Sequence, residues 1–164
     1  MDKKTLLLLF GLSLIVAGFT SCESVDDDRI PYAPVNIAFS TVGDWQVYGV
    51  AGALATRSFI KSERLPAGFP YTDLMQTGFG GVLLVGDFKG APRAYDLACP
   101  VERDRNVRIF VDSEELVGEC PKCHSTYDIF RLGNPLSGEA AEKKYALRRY
   151  AVSPAQSLYM IITN

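Results

Sequence analysis

Three of the four cysteines, Cys99, Cys120 and Cys123, fall with the only histidine, His124, in two short loops, Cys99-Pro100-Val101 and Cys120-Pro121-Lys122-Cys123-His124-Ser125-Thr126-Tyr127-Asp128. Soft thiolate ligands concentrated in this way point to metal binding or to a disulfide. The Cys-Pro-x-Cys spacing lets both sulfurs reach one ion, because the turn returns the second thiolate beside the first. Such a knuckle supplies two ligands. Cys99, brought alongside by the facing loop, would supply a third, and His124 or Glu102 is the nearest candidate for a fourth. Adjacent residues commonly point apart, so Cys123 and His124 on the same centre is an awkward geometry.

Two other thiol chemistries compete. A thiol-disulfide exchange motif sits at a helix N-terminus, where the dipole lowers the thiol pKa. Beyond Cys123 and His124 the chain reads Ser125-Thr126-Tyr127-Asp128-Ile129-Phe130, a strand pattern, which disfavours that reading. A structural disulfide is the more serious competitor in an exported chain, although pairing two of three thiols leaves one over.

The two loops resemble those of the Rieske iron-sulfur domain, whose first loop reads Cys-x-His and whose second reads Cys-x-x-His-Gly-Ser-x-Tyr/Phe-Asp. Cys99 and Pro100 match the start of the first loop; Cys120, Pro121, Ser125, Tyr127 and Asp128 match the second. The likeness extends over residues 78–163, through Gly80 to Val85, Ala94 to Ala98, Leu132 to Ala140 with Glu139 in place of a proline, and a final strand from Tyr145 to Val152. It implies an all-β fold and a 2Fe-2S cluster, in which two Cys hold one iron and two His the other. Val101 and Cys123 stand at the two His positions, so the implied metal ligands are Cys99, Cys120, Cys123 and His124, with zinc or no metal as alternatives to the cluster. Tyr127 and Ser125 are expected around the ligands, the Tyr127 hydroxyl near a sulfur or a backbone group.

The elements that must position these loops read as strands. Val35 to Phe39, Trp45 to Val50, Val82 to Val85, Val107 to Val111, Tyr127 to Phe130, Tyr145 to Val152 and Ser157 to Ile162 are short β-branched or aromatic runs bounded by Gly, Pro and Asp. Antiparallel sheets forming a sandwich or partly closed barrel, with a small subdomain for the metal loops, are expected. No amphipathic helical repeat stands out. Leu65 to Tyr71 reads as an ordered surface loop whose Phe69 and Tyr71 pack onto the sheet beneath. Gly78 to Gly81 reads as a turn, since it precedes a strand and carries no Lys-Ser/Thr.

The N-terminus is a targeting segment. Lys3 and Lys4 precede an apolar run from Leu6 to Phe19 that is shorter than the about 20 residues needed to span a bilayer. It ends in Thr20-Ser21-Cys22, which resembles a bacterial lipobox with Cys22 as the lipidated first residue; a cleaved signal with Cys22 as a structural thiol is the alternative. The organisation that follows is a signal peptide over 1–21, an acidic solvated tether over 22–30, and one β domain over 31–164, long enough to fold without a staple. The tether, Glu23 to Asp28, resembles the export signal of surface lipoproteins of Bacteroidetes, so an outer-membrane lipoprotein is expected, with surface display favoured.

Charge and residue chemistry narrow the function. The chain carries 17 Lys+Arg against 19 Asp+Glu, without the basic density that nucleic acid requires. No nucleophile-base or acid-base pair stands out, so the expectation is an electron-transfer or metal-binding module, not an enzyme. Its partners would be the membrane, through the lipid, and a redox protein. A Rieske-like fold without a cluster, serving as a structural or binding module, is the reading from another class.

Overall fold

A computed structural model describes residues 24–155 and 158–162. Cys22 and the apolar run lie outside the described residues. Among the described residues, eleven strands form two antiparallel sheets. The larger comprises β1 (Val35–Ala38), β2 (Thr56–Phe59), β3 (Gln76–Thr77), β4 (Val82–Gly86), β5 (Pro92–Asp96), β10 (Arg149–Ala155) and β11 (Leu158–Ile162), in the order β2-β4-β5-β10-β11-β1-β3. The smaller comprises β6 (Phe110–Asp112), β7 (Val117–Glu119), β8 (Thr126–Tyr127) and β9 (Pro135–Ser137) in sequential order. The expected all-β class, with a small subdomain carrying the second cysteine loop, is what the chain forms.

Strand β4 explains how one chain fills two cores. Successive side chains on a strand point to opposite faces, and all five residues of β4 are buried. Leu83 and Val85 join a core with Cys99, Cys120, Tyr127 and Ile129 beneath the small sheet. Val82 and Leu84 join another with Phe39, Phe59 and Ile161. Register Leu83↔Tyr95 and Val85↔Arg93 carries the same division onto β5. The cysteine loops therefore rest on one face of the larger sheet, and Phe69 packs in the other core, its ring 5.1 Å from Phe59. That holds the Leu65 to Tyr71 loop on the sheet as expected.

Several expectations are corrected. Trp45 to Val50 is not a strand: α1 (Val42–Tyr48) occupies most of it. Thr41 Oγ1 accepts from the Asp44 N–H at 2.9 Å while Asp44 Oδ2 accepts from the Thr41 N–H at 2.9 Å, a reciprocal cap. Trp45 and Tyr48, three apart, share one helix face and meet Phe39 and Phe69 at ring distances of 4.9 Å and 5.3 Å. Gly49 ends the helix, where a Cβ would come within 2.6 Å of the Trp45 ring.

Val107 to Val111 is split. Val107 and Ile109 bond to Cys99 and Leu97, and only from Phe110 does the segment enter β6, so it links the first cysteine loop to the small sheet. Tyr127 to Phe130 pairs only through Tyr127, because the chain turns where Gly133 N–H donates to Asp128 O at 2.8 Å. Within the Leu132 to Ala140 turn a second short helix, α2 (Gly138–Lys143), begins, with Glu139 Oε1 2.6 Å from Lys143 Nζ.

The acidic segment is not wholly a free tether. Asp26 forms a parallel bridge with Tyr145, Asp27 pairs with Arg149 at 2.6 Å, Asp28 pairs with Arg148, and Ile30 is buried. Tyr145 to Leu147 is correspondingly taken up by the N-terminal segment and by Gly133, which leaves β10 to start at Arg149.

Candidate metal centre

The second loop is a tight reversal between β7 and β8. Cys120 N–H donates to Ser125 O at 3.0 Å and His124 N–H to Cys120 O at 3.0 Å, which closes the knuckle. His124 sits at φ +53°, the left-handed region that favours glycine. The backbone there turns the imidazole away from the thiols: Nδ1 lies 3.0 Å from Glu119 Oε1 and the side chain is 75% exposed. The first loop is closed by Arg103 N–H donating to Cys99 O at 2.9 Å.

The three sulfurs meet where these loops face each other. Cys99, Cys120 and Cys123 place their Sγ atoms within 4.8 Å of one another, with Cys99 and Cys123 at 3.6 Å. Cys99 and Cys120 are fully buried, Cys123 half-buried, and all three are free thiols. Backbone N–H groups aim at each sulfur: Glu102 at Cys99, Lys122 and Cys123 at Cys120, and Ser125 at Cys123. Tyr127, buried beneath the loops, holds its hydroxyl 3.5 Å from Cys99 Sγ. Ser125 Oγ accepts from the Ala140 N–H at 3.1 Å and lies 3.4 Å from Cys123 Sγ. Gly138, at φ +71°, makes room for this contact, since a Cβ there would fall 2.8 Å from Ser125 Oγ.

The electrostatics follow from burial. Desolvation pushes the Cys99 thiol up to about 12, against the Tyr127 hydrogen bond. Desolvation also raises Cys120. At Cys123 the desolvation is outweighed by hydrogen bonds from Ser125 and the two other thiols, leaving that thiol below its usual range. The Tyr127 phenol is held well above its ordinary value by burial, then by the Cys99 contact.

Three of the four residues proposed as ligands from the sequence therefore come together, and His124 does not. Nor does Glu102, whose carboxylate pairs with Lys122 Nζ. Val101 packs against the core and offers no donor atom. Among the described residues no further His, Cys, Asp or Glu joins the thiol group. Asp96 is a residue that sequence reasoning missed. Buried completely, it accepts from Phe79, Gly80 and Ala98 N–H groups and from the Tyr150 hydroxyl at 2.6 Å, tying the Gly78 to Gly81 turn to the strand end that leads into Cys99. A carboxylate within the otherwise apolar run Ala94 to Ala98 was the available signal.

A two-iron cluster takes four terminal ligands, two on each iron. Three thiols gathered within 4.8 Å leave the second iron without a pair of donors, so the residues present do not fit that group. They fit one ion: metal-sulfur bonds of about 2.3 Å at tetrahedral angles place sulfurs about 3.8 Å apart.

No family's sequence profile matches the chain, and no curated protein matches it. Among solved structures it has some similarity to the ferredoxin of carbazole 1,9a-dioxygenase from Nocardioides aromaticivorans IC177, with a TM-score of 0.41 and 14% identity over 79% of this chain and 99% of that one. At that level the thiol geometry, not the likeness, bears on function. No described helix is long and apolar enough to cross a membrane.

Proposed function

We propose that the chain is a Rieske-like lipoprotein whose paired cysteine loops form a sulfur-ligated metal centre, for electron transfer or metal binding and not for catalysis. The observation that carries this is the convergence of three thiols from two facing loops, each sulfur met by backbone N–H groups. Inert structural cysteines have no need of such donors, whereas thiolates on a metal are held and tuned by them. Electron transfer through a 2Fe-2S centre is the finer form that the loop resemblance implies; it would require donors beyond the three thiols, so metal binding is the form that these residues support better.

A second reading has an observation of its own. Val101 at one His position and the outward His124 favour a Rieske-like fold that serves as a structural or binding module without metal. Metal and acid-labile sulfide content of anaerobically purified protein separates the two. Stoichiometric metal supports the centre; metal-free protein with three reactive thiols removes it.

A further inference from the structure

We infer that Cys99, Cys120 and Cys123 hold a single divalent, thiophilic d10 cation of the zinc class, with its fourth position taken by an oxygen ligand. This rests on the reading of the three thiols as a metal centre and goes further by naming the ion.

The span of the donors is the first reason. Sulfurs on one tetrahedral ion sit about 3.8 Å apart, and the three Sγ atoms lie within 4.8 Å, one pair at 3.6 Å. Ligands of opposite irons in a bridged pair are separated further, by the length of that pair. The second reason is softness and loop form. A Cys-Pro-x-Cys knuckle joined by a third thiolate is a donor set that selects zinc-like or cuprous ions over hard cations.

Charge then chooses between those two. Three thiolates around a divalent ion leave one net negative charge in a site where Cys99 and Cys120 are fully buried; around a monovalent ion they leave two. Burying the larger charge without a paired cation is the costlier outcome. The nearby Lys122 is already committed to Glu102, and His124 to Glu119. Backbone N–H groups on the sulfurs can disperse one excess charge more readily than two.

The fourth position falls on the oxygen side of the cluster. Tyr127 Oη and Ser125 Oγ each touch a sulfur, at 3.5 Å and 3.4 Å, and would hold a water there as the oxygen ligand. Loading is a simple exchange in which three thiols release three protons as three metal-sulfur bonds form, with no change of oxidation state.

The test uses the full chain in detergent, reduced and stripped of metal, titrated anaerobically with Co2+ and then Zn2+. The expected result is one Co2+ per chain, with thiolate-to-cobalt charge-transfer absorption and the visible bands of a tetrahedral ion, both lost as Zn2+ displaces it. Cys123→Ser should weaken Co2+ binding by more than the about 10–100-fold that loss of an outer hydrogen-bond partner produces. Cys22→Ala should leave it unchanged. Protein isolated anaerobically with equal iron and acid-labile sulfide would overturn the single-ion assignment while keeping the sulfur centre. Reduced thiols that take up no Co2+ would overturn both.

Discussion

The Tyr127 hydroxyl stands 3.5 Å from Cys99 Sγ in a pocket with no exposure, and it is the most direct polar contact that a non-cysteine side chain makes with that sulfur. Tyr127→Phe keeps the ring and removes only that contact. The domain should stay folded, losing about 1 kcal/mol in denaturant unfolding, while chelator competition should show metal held about 10-fold more weakly. Equal affinity in the two proteins would reduce Tyr127 to a packing residue. A second residue sets a pH dependence away from the site. Asp87 accepts from the Ala91 and Lys89 N–H groups at 2.8 Å and 2.9 Å and from Arg93, which hold its carboxyl below the ordinary value. A group whose folded pKa is depressed contributes stability above its unfolded value of 3.8 and loses it as pH falls through the folded value. Melting temperature should therefore drop with acidification from about pH 5, and Asp87→Asn should make that drop shallower. The thiols were legible in the sequence because cysteine has few other uses in two such loops. The direction of His124 was not, since it is decided by a single backbone angle, φ +53°, that residue type does not announce.

Elements were legible where burial on both faces or strict alternation left one choice, as in Val82 to Val85, whose every side chain is buried. They were misread where apolar spacing served two periods at once. Trp45, Tyr48 and Val50 suit a strand by type, yet Trp45 and Tyr48 are three apart, and the Thr41 to Asp44 cap decides for a helix. Thr41→Ala removes the acceptor for the Asp44 N–H and should destabilise the domain by about 1 kcal/mol in denaturant unfolding. Because α1 reaches the sheet on the side away from the thiols, through Phe39 and Phe69, the same variant should leave Co2+ binding as it was. A loss of binding in step with stability would mean that the two cores communicate. The split of Val107 to Val111 was beyond sequence reasoning for a different reason: alternation fixes which side chains turn inward, but not that the first half pairs with Leu97 to Cys99 and the second with β7.

At the scale of the whole molecule, the segment from Asp26 to Ile30 would join a lipid on Cys22 to the candidate centre. Asp26 lies four residues after Cys22, so a lipid on Cys22 would stand no more than about 14 Å of extended chain from the Asp26 to Tyr145 bridge. Arg29 O accepts from Arg103 Nε at 3.0 Å, which puts the same segment against the loop that carries Cys99. An acidic run read from composition alone is a solvated spacer; here tertiary contacts override composition, and the domain would be held close to the bilayer with its cysteine loops on the anchored side. Cys22→Ala should stop lipid labelling and move the protein to the soluble fraction, and unchanged membrane retention would sink the anchor. What holds the segment down can be decided by magnitude. Exposed pairs such as Asp27 with Arg149 contribute about 0–1 kcal/mol each, whereas burying Ile30, 1% exposed, contributes roughly 1.5–3 kcal/mol. Trypsin should cut slowly after Arg29 in the native protein. Ile30→Ala should speed that cut markedly, and Asp27→Asn only slightly. The reverse order would show that ion pairs, not the buried isoleucine, dock the segment, and cleavage would then accelerate with added salt.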